Sequence, residues 1–296
     1  MPRIVNPQGV AAAVLAIAAS SVPLAQQTGA LRVALATVSD SRNRPIVDVD
    51  ADDFVVQESG KPREILSVHV ADYPIVVMID TGASARGDLP LMQKAVARFI
   101  ERVGQQRPIA LGTFGDPPRM VATFDDERTD LVEHLKALEA DEAAESLPMQ
   151  GAALAADAIA PTGALFSAIV MLSAGAVDDP TERSDAAVTP VMSSGVILHV
   201  VANTANRNSP STGPGSTKPS GGAAPALRTL AEQTHGHFTT IYSAASYQAA
   251  LEQLANRLAT ELMVEYLVPN ESRAADVKLG VRIPGVRVRG LGVAPR

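Results

Sequence analysis

The chain has 296 residues, 46% hydrophobic and 19% charged, with a formal net charge of −7. This is globular composition, long enough for about two domains, and its net negative charge argues against a nucleic-acid-binding face, whose phosphate contacts need clustered Lys and Arg. Cysteine is absent, so disulfides, a thiol nucleophile and a lipid-anchoring cysteine are excluded; tryptophan is absent and aromatics are 3%, so the core must be Val, Leu, Ile and Ala.

The first 25 residues, MPRIVNPQGVAAAVLAIAASSVPLA, carry a basic Arg3, an unbroken apolar run from Val10 to Ala19, and then small residues. They read as an export signal, too short to span a bilayer as a mature helix, with Ser20, Ser21 and Pro23 breaking the run. No second long apolar run follows, so the expected product is an exported chain, periplasmic or secreted, with no membrane span after cleavage.

Residues 26–72 form an N-terminal β segment, with runs of β-formers at 31–38, 54–57 and 65–70 split by the turn clusters SDSRNRP and ESGKP. The pattern then changes over 73–260. Residues 74–79, 109–114, 166–172 and 196–201 are near-continuous apolar runs, as expected of strands covered on both faces. Between them Met92, Val96, Phe99, Ile100 and Val103 share one helical face, with Asp88 as N-cap and Gly104 past the end. Leu131, Leu135 and Leu138 make a second face; Tyr247, Leu251, Leu254 and Leu258, begun by Ser246, make a third. Strands alternating with helices predict an α/β fold: a doubly wound, mostly parallel, Rossmann-like sheet. Residues 203–225 have almost no apolar content and read as a flexible insertion. Residues 261–296 return to β at 262–268, 277–283 and 286–289, with Pro284-Gly285 as a tight turn. The two β flanks are expected to meet in one small domain.

The stretch IVVMIDTGASARGD, residues 75–88, suggests several chemistries. Asp80 ends the first apolar strand, where open parallel sheets bind ligands. An aspartic-type hydrolase using Asp80 in its DTGAS turn needs two carboxylates sharing a proton. DTG occurs once here, so such an enzyme would have to dimerise, and an amphipathic helix follows where those enzymes continue in β structure. A short-chain dehydrogenase loop fails because Arg86 stands where its glycine belongs and no Tyr-x-x-x-Lys pair exists. Arg86-Gly87-Asp88 is an adhesion tripeptide that recurs by chance. Ser84 lacks a G-x-S-x-G elbow, and His235 and His237 are weak partners for it.

The wider chain resembles the von Willebrand factor type A domain, in the branch of exported bacterial proteins related to it. An apolar strand ending in a D-x-S-x-S-like turn is followed by a long amphipathic helix. VSDSRNRPIVDVDADDFVVQESGKPREILSV, FSAIVMLSAG, LRTLAEQTHGHF, ELMVEYLVPN and RIPGVRVRG resemble that branch's segments in order, over roughly residues 31–290. The resemblance implies a metal-ion-dependent adhesion site above the sheet, holding Mg²⁺ or Mn²⁺ on oxygens. Read onto this chain, Asp80 and Ser84 stand at two ligand positions. Gly82 replaces the middle Ser, Ala174 replaces the Asp of L-S-D-G, and Ala152 or Ala153, in the second loop MQGAALAADAI, falls where a Thr is expected. Asp178 or Asp179 lies just past the strand. The expectation is a degenerate metal site in which Asp80 and Ser84 are a weak remnant, with Mg²⁺ or Mn²⁺ bound weakly at most. The chain is then a non-enzymatic protein-binding or adhesion module, meeting a protein partner around Asp80, Ser84, Arg86 and Asp88.

Overall fold

The computed structural model describes residues 29–104, 107–175, 184–205, 226–269 and 276–295. The export signal, most of the insertion, and Asp178 and Asp179 lie outside the described residues.

In chain order the elements are β1 (Gly29–Ser39), β2 (Phe54–Glu58), β3 (Lys61–Arg63), β4 (Ile65–Val70), β5 (Ile75–Ile79), α1 (Leu89–Arg102), β6 (Ile109–Thr113), β7 (Arg119–Ala122), α2 (Arg128–Lys136), α3 (Pro148–Ile159), β8 (Ala168–Ser173), α4 (Ser184–Ser193), β9 (Ile197–Asn203), α5 (Ala226–Gln233), β10 (Phe238–Ile241), α6 (Ser246–Leu258), β11 (Glu261–Pro269), β12 (Val277–Val281) and β13 (Arg287–Pro295).

Six strands form the large sheet in the order β10-β9-β8-β5-β6-β7. All its pairings are parallel except β6 with β7. Strand side chains alternate faces, and both faces are apolar. Ile75, Val77 and Ile79 of β5 pack with Met92, Val96 and Phe99 of α1, Leu131 of α2 and Leu251 of α6. Val76 and Met78 pack with Met149 and Ala156 of α3, Val191 of α4 and Leu230 of α5. The sheet is thus doubly wound, and continuous burial on both faces explains why its strands carry no alternation in sequence.

The β flanks build one further layer pair. β1 lies between β13 and β11, with β4 on the outside of β11, all antiparallel. β2 lies between β12 and β3. N-terminal and C-terminal segments are therefore hydrogen-bonded neighbours in both sheets. Val33 and Leu35 of β1 face the α/β core, whereas Ala34 and Val38 face Phe54, Val56, Val264 and Tyr266 between the two small sheets. Pro284 and Gly285 carry the chain from one small sheet to the other, with Gly285 at a φ of 76°.

Two sequence expectations need correction. MQGAALAADAI is not a loop but the body of α3, with Ala152 in the core beneath the sheet. Its run of small residues is what lets the helix pack closely. Asp88 stands at the N-cap position of α1 but makes no capping hydrogen bond; its side chain turns inward instead. The short strand β7 and the Pro190-containing helix α4 also had no reading in the sequence, β7 being too short to show a period.

Candidate functional site at the carboxyl edge of the large sheet

β5 sits at the centre of the sheet with β6 on one side and β8 on the other. The chain leaves β5 towards β6 and later returns to the opposite side as β8, so the carboxyl end of β5 is a topological switch point, where such sheets form their crevice. Asp80 follows β5 directly, its N–H donating to Leu172 O at 3.0 Å.

The Asp80 side chain is 0% exposed. Its Oδ1 accepts hydrogen bonds from Gly82 N at 3.0 Å and Ser146 Oγ at 2.5 Å. Its Oδ2 accepts from Ala174 N at 3.1 Å and Ser173 Oγ at 3.3 Å. A carboxylate offers about four lone-pair sites, and all are engaged from within the domain. Burial pushes the Asp80 carboxyl up, and the Ser146, Gly82, Ala174 and Ser173 donors pull it back. Such a group is a structural hub. It is shielded from solvent, and its hydrogen-bond partners are hydroxyls and amides rather than a second carboxylate.

Ser146 is the residue that sequence reasoning missed. It precedes Leu147 and the Pro148 that opens α3, and proline in the first turn of a helix marks what comes before it as loop. That signal places 141–146, not Ala152 or Ala153, above the sheet edge. A Cβ at Gly82 would lie 2.5 Å from Ser146 Oγ, 2.9 Å from Ser146 N and 3.1 Å from Glu145 C. The hydroxyl of Ser146 therefore occupies the space into which a side chain at position 82 would project. Ser173, beside Ala174 at the end of β8, supplies a further hydroxyl that the motif comparison passed over.

The other sequence-derived residues spread outward from this hub. Ser84 is exposed and its Oγ lies 3.5 Å from Ser146 Oγ. Arg86 points to solvent and pairs with Glu142 of the second loop. Asp88 turns the other way: its Oδ2 accepts from Asn203 Nδ2 at 2.7 Å and faces the Tyr247 hydroxyl at 3.3 Å. That hydroxyl donates to Ser173 O at 2.6 Å, and its pKa is raised by burial and by the nearby charges of Asp88 and Asp80. Asp80 and Ser84 thus meet through Ser146, while Arg86 and Asp88 diverge. Asp116, Asp141, Glu142 and Glu145 are exposed around the same edge.

A hard divalent cation wants an octahedron of oxygens, with carboxylates to balance its charge. The donor set here does not fit one. Gly82 and Ala174 bring no side-chain oxygen, Asp80 is the single carboxylate and has both oxygens engaged, and the remaining donors are neutral hydroxyls.

A doubly wound parallel sheet with an Asp at the end of its central strand, beside a long amphipathic helix and hydroxyl-bearing loops, defines the von Willebrand factor type A fold. One solved structure bears this fold out. The chain is similar over 91% of its length to a von Willebrand factor type A protein from Catenulispora acidiphila, 74% of which is covered, at 12% identity and a TM-score of 0.51. BatB from Bacteroides thetaiotaomicron is similar over 63% of this chain and 98% of its own, at 13% identity and a TM-score of 0.47. Proximal thread matrix protein 1 from the mussel byssus, with a zinc-occupied MIDAS motif, is similar over 68% of this chain and 49% of its own, at 14% identity and a TM-score of 0.49. Neither a scan against family models nor a search of curated proteins finds a match in sequence, so the likeness is one of fold. Among the described residues no helix is long and apolar enough to cross a membrane.

Proposed function

We propose that the chain is an exported, non-enzymatic protein-binding module of type A architecture whose edge around Asp80 engages a protein partner without a bridging metal. The observation that carries this reading is the Asp80 cage. Four internal donors satisfy the carboxylate, which leaves it free neither for proton transfer nor for an ion. What faces solvent at that edge is Ser84 and Arg86 on the first loop, and Asp141, Glu142 and Glu145 on the second. This rim is acidic with one cation, so the complementary partner surface presents basic side chains around an acidic group matched to Arg86.

Capture from an envelope extract on the immobilised chain tests this, comparing wild type with Glu142→Lys and with Arg86→Glu, each with and without chelator. A specific partner that survives chelator and is lost with Glu142→Lys is the expected result. Capture that needs divalent metal, or that ignores both substitutions, would overturn it.

A further inference from the structure

At the amino end of the large sheet, away from Asp80, the small β layer and the α/β layer border an open cleft of about 580 Å³ whose arginines are exposed. Its lining is strongly cationic in a chain of net charge −7. Arg287 and Arg289 lie two apart on β13, so both project on the same side of the strand. Their cross-strand neighbours on β1 are Ser39 and Thr37, which bring two hydroxyls to that side. Arg257, in the last turn of α6, reaches the cleft from the opposite layer. Among the described residues none of these three guanidiniums is ion-paired. The carboxylate that Arg257 senses, Glu261, is buried and takes the hydroxyl of Tyr73.

A separate cavity of about 30 Å³, lined by His199, shares His237 and Arg257 with the cleft. His199 is 3% exposed, and neither of its ring nitrogens has a hydrogen-bond partner among the described residues; the same holds for Nδ1 of His237. The two rings stack with centroids 5.8 Å apart. Burial first lowers the pKa of both imidazoles, followed by His237 and Arg257 for His199 and by Arg257 and Arg289 for His237. This pairing depends on Gly236, where any Cβ would fall 1.7 Å from Leu198 O. Orphaned buried polar atoms are costly and uncommon, and here they lie beside Arg257, which lines both the small cavity and the cleft that holds Arg287 and Arg289. The two observations are independent: the arginines call for anionic oxygens, and each neutral imidazole has one N–H that can donate to such a group.

We propose that this cleft binds a small organic oxyanion, its phosphate or paired carboxylates held by Arg257, Arg287 and Arg289, with His237 beside them and His199 stacked behind it. Guanidinium forks match carboxylate and phosphate oxygens two at a time, and the hydroxyls of Thr37 and Ser39 add neutral donors. A cleft of this volume has room for a small molecule. The site lies at the other end of the sheet from the partner-binding edge and stands or falls without it.

Calorimetric titration of the purified chain with pyrophosphate and with citrate tests the proposal. Saturable one-to-one binding of either is expected, the successful probe telling phosphate from carboxylate chemistry. Arg289→Gln, exposed on its strand, should weaken binding about tenfold or more, the loss of one charge-assisted pair, while Arg289→Lys loses less and Arg86→Gln nothing. Circular dichroism confirms that each variant folds, and a shift of the His237 ring resonances on titration reports the site directly in the wild type. Failure of both probes to saturate, or equal binding by wild type and Arg289→Gln, would sink it.

Discussion

Ser146 Oγ donates to Asp80 Oδ1 at 2.5 Å, from a loop 66 residues further along the chain, and fills the space beside Gly82. One hydroxyl thereby joins the central strand to the entry of α3 and closes the crevice at the sheet's switch point. Ser146→Ala leaves a buried carboxylate short of one donor and should destabilise the fold by about 1–3 kcal/mol. Urea unfolding of the two proteins measures it; an unchanged midpoint would show that the bond carries nothing.

Gly82→Ser restores the missing hydroxyl of the type A motif but drives a side chain into Ser146 and the Glu145–Ser146 backbone. The expected outcome is a loss of about 1–3 kcal/mol from overpacking, with no gain in Mn²⁺ affinity. Saturable micromolar Mn²⁺ or Mg²⁺ binding by calorimetry, in this variant or in the wild type, would contradict the reading of the donor set.

Tyr247 donates to Ser173 O from α6 and faces Asp88 at the start of α1. Tyr247→Phe keeps the ring in its fully buried place and removes the hydroxyl that serves both Ser173 O and Asp88 Oδ2. A loss of about 1–2 kcal/mol is expected, and Asn203→Ala, which deprives Asp88 of its other partner, should be less than additive with it, because both act on one carboxylate.

Glu261 is 2% exposed and meets the Tyr73 hydroxyl between the two layers, with Arg107 4.6 Å over the Tyr73 ring and Arg257 nearby. Burial is the main cause that pushes its pKa from 4.5 to about 7. A carboxyl raised on folding favours the folded chain most below its unfolded pKa, and that contribution is lost as pH rises through about 7. The gap is on the order of 3 kcal/mol. Denaturation at pH 5 and pH 8 should therefore show Glu261→Gln gaining stability relative to wild type as pH rises; a constant difference would refute the assignment.

His199 titrates in the opposite sense. Burial first, then His237 and Arg257, hold its pKa at about 3 against 6.5. Its stabilising neutral state is fully available above pH 6.5 and is lost as pH falls towards 3. His199→Leu should remove much of the wild type's acid sensitivity in that window, seen as a flatter plot of melting temperature against pH.

The apolar runs of β5, β6, β8 and β9 and the helical faces of α1, α2 and α6 were legible because burial on both sheet faces writes itself as unbroken aliphatic sequence and as a 3.6-residue period. Asp80 was legible as a strand-end residue for the same reason. The layering of the two β flanks was readable in outline, since antiparallel runs at both chain ends need partners. Ser146 was not legible: which loop hydroxyl reaches a carboxylate 66 residues away depends on where α3 begins, and small helical residues mimic a loop motif. Asp88 looked like a cap because capping is local, whereas Asn203 and Tyr247 compete for it across the fold.

Sequence alone thus decided the alternation of strands and helices, because periodicity and hydrophobicity are properties of neighbouring residues. Tertiary structure alone decided that Asp80 is caged and not open, and that Arg257, Arg287 and Arg289 line one cleft with His237. Those outcomes depend on distances between segments far apart in the chain, which packing sets and no local pattern records.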